Sequence, residues 1–262
     1  MARILTLDIE TSPIMAKVWD LWKQNVSLNQ IEDDWYIMSY SAKWLGETDV
    51  MYEDCRDSIG EDVKLLASLH KLLDEADIVI AHNGDRFDIP KINARFIMNG
   101  FLPPSPYKTI DTVKVAKRTF KFTSNKLAYL TDKLTEDKKL DHAKFAGMSL
   151  WNECMKGNLE AWEEMKAYNE MDVISLEELY LKLRPWMPNH PSVTTYEERE
   201  VLTEDDPLYC PKCGSHHVQK RGKYHTNKGV YQRYRCNGCG GWSSSTYSEN
   251  NTEQRKNLLA PR

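Results

Sequence analysis

Asp8 and Glu10 are the first residues in this chain whose type and spacing point to chemistry. They end the run Ile4-Leu5-Thr6-Leu7-Asp8-Ile9-Glu10-Thr11, a short apolar, β-branched stretch that reads as a buried strand, followed by turn chemistry at Ser12-Pro13. Residues two apart on a strand share a face, so both carboxylates point the same way. Two like charges held at the end of a core strand are costly unless a cation sits between them. An isolated Asp-x-Glu is only a solvated strand end, but further carboxylates follow. Asp88 stands at the start of a helix, where alone it would be a simple cap. Tyr168 and Asp172 are four apart on a long helix and project from one face.

A second set is Cys210-Pro211-Lys212-Cys213 with Cys236-Asn237-Gly238-Cys239. Two Cys-x-x-Cys knuckles separated by twenty-two residues give a tetrahedral four-cysteine zinc site. The zinc is expected to be structural, because so short a segment lacks a core. A redox dithiol is the weaker alternative. Val218-Gln219-Lys220 and Tyr231-Gln232-Arg233-Tyr234-Arg235 are its expected strands, turning at Thr226-Asn227-Lys228-Gly229. Between Leu208 and Trp242 there are seven Lys and Arg residues and no Asp or Glu, so this segment is +7 in a chain of net charge −4. A basic module on an acidic body points to a polyanion partner, with Lys220, Arg221, Lys223, Arg233 and Arg235 as candidate phosphate contacts.

The rest of the chain must position these groups. At 262 residues and 41% hydrophobic, it has room for one sizeable core and a smaller module. No apolar run approaches the ~20 residues of a membrane span. No signal-peptide pattern is visible, and a cytoplasmic protein is expected. Cys55 and Cys154 are expected as ordinary buried thiols. Ile14 to Trp22 reads as an irregular or helical cover; core packing is the expected use of Trp19 and Trp22, base stacking the alternative. Tyr36 to Trp44, a turn at Leu45-Gly46-Glu47-Thr48, and Val50-Met51-Tyr52 form an antiparallel hairpin. An amphipathic helix from Glu61 to Glu75 leads to the strand Ala76 to Ala81, a crossover onto a parallel sheet. The next helix stops at Asn99-Gly100. Asp111 is expected to cap a further helix rather than bind metal. Lys117, Arg118, Lys121 and Lys126 form a basic cluster that is a solvated face or a phosphate-binding wall. The last long helix runs from Asn158 to Leu183, with Leu159, Trp162, Met165, Leu176, Leu179 and Leu183 as its apolar stripe. The expected organisation is a body over residues 1–185, an acidic linker over 186–207, a ribbon over 208–246 and a disordered polar tail over 247–262.

Asp-x-Glu near the N-terminus, Asn83-x-x-x-Phe87-Asp88 in the middle and Tyr168-x-x-x-Asp172 late resemble the three exonuclease motifs of the DEDD superfamily, in the branch that carries tyrosine in the third motif. The resemblance covers roughly residues 1–185, and a phage-associated group is similar around Lys121-Phe122-Thr123-Ser124-Asn125-Lys126-Leu127 and Met165-Lys166-Ala167-Tyr168-Asn169. It implies an α/β, ribonuclease H-like mixed sheet flanked by helices and a two-metal-ion 3′→5′ exonuclease. Asp8, Glu10, Asp88 and Asp172 would hold two Mg²⁺ or Mn²⁺, with Asp8 bridging. Tyr168 would orient the attacking water, and Asn83, Phe87, Lys121 and Lys126 would contact substrate. The cysteine segment resembles the zinc ribbons attached to DNA enzymes. Nucleic acid is the expected partner, DNA favoured over RNA by the resemblance. The rival readings are a structure-specific endonuclease and a non-catalytic nucleic-acid-binding module on the same fold.

Overall fold

The computed structural model describes residues 2–137, 144–196, 207–250 and 252–256. It divides into two compact units, Arg3–Lys182 and a C-terminal unit from Leu183 onward.

The first unit is built on the apolar run at the N-terminus. Strand β1 (Ile4–Thr11) sits at the centre of a five-stranded sheet. A two-stranded ribbon follows it, β2 (Met15–Ala16) paired with β3 (Ile31–Asp33). The hairpin read from the sequence is β4 (Ile37–Trp44) and β5 (Met51–Asp54), with Gly46 supplying the positive φ of 86° that its turn requires. Strand β4 pairs antiparallel with β1, placing Ser41 opposite Asp8 and Ser39 opposite Glu10. The pairing slips between Glu10 and Thr11, a bulge that bends the strand at the carboxylates. On the other side of β1, helix α1 (Val63–Glu75) crosses over to strand β6 (Ile78–Ala81), which pairs parallel with β1. Helix α2 (Asp88–Met98) leads to β7 (Lys108–Asp111), parallel to β6. The sheet order is therefore β5-β4-β1-β6-β7, half antiparallel and half parallel.

Helices cover both faces. Leu65, Leu66, Leu69 and Leu73 of α1 and Ile92 and Phe96 of α2 pack with Leu5, Leu7 and Ile9 of β1. On the opposite face, α5 (Ser149–Met155) and α6 (Leu159–Leu183) bring Leu150, Cys154, Trp162 and Met165 against Tyr36 and Met38. Every residue of β4 is buried, because both of its faces are covered. Helices α3 (Thr112–Thr119) and α4 (Leu127–Leu134) lie between β7 and α5 in the chain. Asp111 caps α3, accepting from the N–H groups of Val113 and Lys114 at 2.9 and 3.4 Å, as the sequence predicts. Among the described residues no helix is long and apolar enough to cross a membrane.

Two ion pairs fix the helices to the sheet. Asp62, fully buried before α1, accepts from Arg95 of α2 at both oxygens, 2.7 Å each, and from the N–H of Ile37 at 2.9 Å. Lys43 of β4 donates to both oxygens of Glu177 of α6 at 2.8 and 2.7 Å.

Some expectations need correction. Trp19 and Trp22 are 99% and 81% exposed, so they do not pack in the core. The β2–β3 ribbon holds only the base of their segment, through Lys17 N to Gln30 O and Gln30 Nε2 to Lys17 O, both 2.9 Å. Leu159 is exposed, because it begins α6, ahead of the stripe. The polar tail is not wholly disordered: Glu249 N donates to Val230 O at 2.7 Å, Asn250 Oδ1 accepts from Val230 N at 3.1 Å, and α7 (Thr252–Lys256) follows. The acids Glu197, Glu198, Glu200, Glu204, Asp205 and Asp206 of the expected linker lie outside the described residues.

The C-terminal unit contains a three-stranded sheet in the order β10-β9-β8, from β8 (Val218–His225), β9 (Val230–Cys236) and β10 (Trp242–Ser244). The turn at Thr226 to Gly229 closes by Thr226 N to Gly229 O at 2.9 Å.

Candidate active site and cysteine cluster

Asp8, Glu10 and Asp172 converge: one carboxylate oxygen from each lies within 4.8 Å of the other two. Strand alternation aims Asp8 and Glu10 together, and α6 presents Asp172 to them from the covering layer. Three carboxylates at one point form a hard-oxygen set of the kind that holds a divalent cation, and their mutual repulsion without one is the physical reason to expect it. Asp172 is buried, whereas Asp8 and Glu10 are half-buried, which leaves the cluster open on one side.

Asp88 is not part of that trio. It is buried at the first turn of α2, and its Oδ1 accepts from the N–H of Ile9 at 3.1 Å, at the edge of β1 that faces away from β4. Burial pushes its carboxyl up to about 7, with the charge of Asp111 adding to the rise while the N–H groups of Ile9 and Asp88 itself oppose it. The turn before α2 is tight. Asn83 adopts a φ of +68° and gives its N–H to Asp111 Oδ1 at 3.1 Å, so its visible work is in the backbone. A Cβ on Gly84 would fall 2.3 Å from Ala81 Cβ, so only glycine fits there.

Of the trio, Glu10 lines a cleft of about 720 Å³, with Thr11, Pro13, Phe87, Lys91 and Trp151 among its other walls. Phe87 is 37% exposed at its edge. The Lys91 ammonium lies 3.7 Å from the centre of the Trp35 ring and 5.2 Å from that of Phe87, and burial lowers its pKa. Tyr168 meets Trp151 edge to face, ring centres 6.3 Å apart at 79°. The indole N–H of Trp151 donates to Glu10 Oε2 at 3.2 Å. Asn169 Nδ2 donates to Asp8 Oδ2 at 2.6 Å, and Ser39 Oγ donates to Asn169 Oδ1 at 3.2 Å. Lys121 and Lys126 are exposed in the loop between α3 and α4, as are Lys117 and Arg118 at the end of α3.

Lys91, Trp151 and Asn169 are the residues that sequence reasoning missed. Lys91 had a signal, lying four after Phe87 and three after Asp88 on one helix face. Asn169 also had one. It falls on the repeat Trp162, Met165, Asn169, Asp172, Leu176, Leu179, Leu183, where a polar residue occupies an apolar position.

In the C-terminal unit the four cysteine sulfurs lie within 4.8 Å of one another, with Cys210 to Cys239 and Cys213 to Cys236 each 3.7 Å apart. Four thiolates around one zinc at ~2.3 Å stand ~3.8 Å apart, so the donor set and spacing fit that ion. The two knuckles repeat one geometry. Gly214 N bonds Cys210 O at 2.9 Å and Gly240 N bonds Cys236 O at 3.0 Å, with both glycines at positive φ, 73° and 78°. Burial raises the Cys210 and Cys213 thiols; Cys236 is desolvated too, but N–H groups of Cys239 and Gly238 bring it down to about 7. Of the seven cations counted in the sequence, Lys212 is buried with its Nζ 2.7 Å from Pro185 O, and Lys223 is paired with Glu249. Lys220, Arg221, Lys228, Arg233 and Arg235 remain exposed, with Arg233 stacked 4.9 Å over Trp242.

No curated protein matches the chain. Among solved structures it is similar to the family B DNA polymerase of the hyperthermophilic archaeon Pyrobaculum calidifontis, with a TM-score of 0.52 and 14% identity. That match covers 71% of this chain but only 25% of the polymerase, and at this identity it speaks for the fold alone. The family model of the RNase H superfamily matches residues 6–184. The mixed five-stranded sheet with helices on both faces is the ribonuclease H-like architecture, and the chain belongs to the RNase H superfamily.

Proposed function

We propose that this protein is a metal-dependent 3′→5′ exonuclease of the tyrosine-bearing DEDD branch that acts on DNA, with its zinc-bound C-terminal ribbon gripping the nucleic acid. The observation that carries the reading is the meeting of Asp8, Glu10 and Asp172 beside a cleft edged by Phe87 and Lys91. Family membership supports nuclease chemistry in general and with it a nucleic-acid substrate.

In this reading Asp8, Glu10 and Asp172 would hold one Mg²⁺ or Mn²⁺, and Asp88 would help to hold a second. Such ions supply an activated water and neutralise the departing 3′ oxygen. The protein's own groups do the positioning. Tyr168 orients the attacking water through its hydroxyl; a phenol with an ordinary pKa of ~10 is poorly suited to act as the base. Phe87 stacks on a base at the cleft edge, and Lys91 faces phosphate. Asn83, Lys121 and Lys126 lie further along the strand's path. Lys220, Arg221, Lys223, Arg233 and Arg235 are the ribbon's proposed contacts, with Lys223 the weakest because Glu249 already neutralises it.

Product analysis tests this. With Mg²⁺, a 5′-labelled linear strand should shorten stepwise from its 3′ end while a circular single strand stays intact. Cut circles would mean an endonuclease, and binding without cleavage a non-catalytic module. Parallel DNA and RNA substrates decide the sugar preference.

A further inference from the structure

We infer that Asn169 is a positioning residue that holds Asp8 in its cation-binding orientation, and that Ser39 sets which way its amide faces. The inference rests on reading the three carboxylates as a cation site. Asn169 is fully buried, so both ends of its amide need partners. A carboxylate only accepts hydrogen bonds, so the end at 2.6 Å from Asp8 Oδ2 must be the NH₂. The other end is then the carbonyl oxygen, which must find a donor, and the buried Ser39 hydroxyl at 3.2 Å is that donor. The relay joins three separate elements: Ser39 on β4, Asn169 on α6 and Asp8 on β1. It fixes one Asp8 oxygen without placing a positive charge beside it. A lysine there would neutralise the carboxylate and compete with a cation; an amide leaves its charge available.

Asn169 also lies one helical turn before Asp172, so a single face of α6 brings both a ligand and the group that orients another ligand. Such outer partners typically change metal affinity by ~10–100-fold when removed. The effect should fall on ion binding more than on the chemical step.

The test measures Mn²⁺ binding by calorimetry on the full chain, with Asp8→Ala defining the signal that belongs to the carboxylates. Asn169→Leu preserves shape and loses both hydrogen bonds. It should weaken Mn²⁺ by ~10–100-fold, while turnover at saturating Mn²⁺ recovers to within a few-fold of wild type. Ser39→Ala should weaken Mn²⁺ less, because the amide keeps its donor but loses what fixes its direction. Wild-type Mn²⁺ affinity in Asn169→Leu overturns the inference and leaves the site reading intact. Should Asn169→Leu fail to fold, unchanged affinity in Ser39→Ala overturns it instead. A wild-type protein that binds no more Mn²⁺ than Asp8→Ala removes the cation site itself, and this inference with it.

Discussion

Asp88 accepts the backbone N–H of Ile9 at 3.1 Å, although the two residues stand 79 apart in the chain. Ile9 separates Asp8 from Glu10, so the peptide that carries the paired acids is pinned along its edge by a third acid. Burial raises Asp88 from its ordinary value of 3.8 to about 7. The folded protein therefore keeps a proton there over a range where the unfolded chain has lost it. Stability falls as pH rises from the ordinary carboxylate range to about 7, and above that the penalty for burying an ionised Asp88 is constant. The melting temperature of magnesium-free protein should drop between about pH 4 and about pH 7, and Asp88→Asn should flatten that slope. An equally steep slope in the variant would assign it to other groups.

Asp8→Ala removes a ligand from the trio and the acceptor of Asn169. Cleavage should fall by orders of magnitude. Magnesium-free stability should hold, because relief of carboxylate repulsion offsets the lost hydrogen bond. Near-normal turnover of the purified variant would sink the proposed mechanism.

Tyr168→Phe keeps the ring that meets Trp151 at 6.3 Å, so the local packing should survive. Turnover should drop with affinity for the strand little changed. If affinity falls and turnover per bound strand persists, the hydroxyl binds substrate and does not orient water.

The sequence made some of this site legible and hid the rest for physical reasons. The strand bearing Asp8 and Glu10, the β4–β5 hairpin and the caps at Asp111 and Gly100 are set by local rules that work over a few residues. Trp151 could not be read that way. It lies on a seven-residue helix too short to show a period, and its partner Glu10 is 141 residues away. Asn169 was visible as a polar residue on an apolar stripe, but its partner Asp8 is 161 residues distant. Trp19 and Trp22 misled in the other direction: spacing of three fits a helix face, yet no helix forms and both rings stand in solvent.

Deleting the residues after about Asp206 should weaken nucleic-acid binding and flatten its salt dependence. Contacts from Lys220, Arg221, Lys228, Arg233 and Arg235 alone would account for a change in slope of ~3.5 for a single strand. Chemistry at saturating substrate should persist. Cys236→Ser should mimic the deletion and lower zinc content. An unchanged salt slope would make the ribbon a contact for some other molecule.

Gly84→Ala tests the turn that delivers Asp88. Its new methyl would meet Ala81 Cβ at 2.3 Å, with Asp88 Oδ2 at 3.7 Å from the same position. The turn must open, so stability should fall by roughly 1–3 kcal/mol and activity should fall with it. Unaltered thermal unfolding would show that the turn is more pliable than its geometry implies.

Helix α6 is attached to β4 at two places, Ser39 with Asn169 and Lys43 with Glu177. Four strand residues span ~13 Å and eight helical residues ~12 Å, so two different repeats arrive at the same length. The pair of attachments works as a vernier. Removing one residue between Asn169 and Glu177 would rotate the far end of the helix by ~100°, so only one of the two marks could stay aligned. This stretch of the chain should thus tolerate exchanges of side chain far better than any change of length.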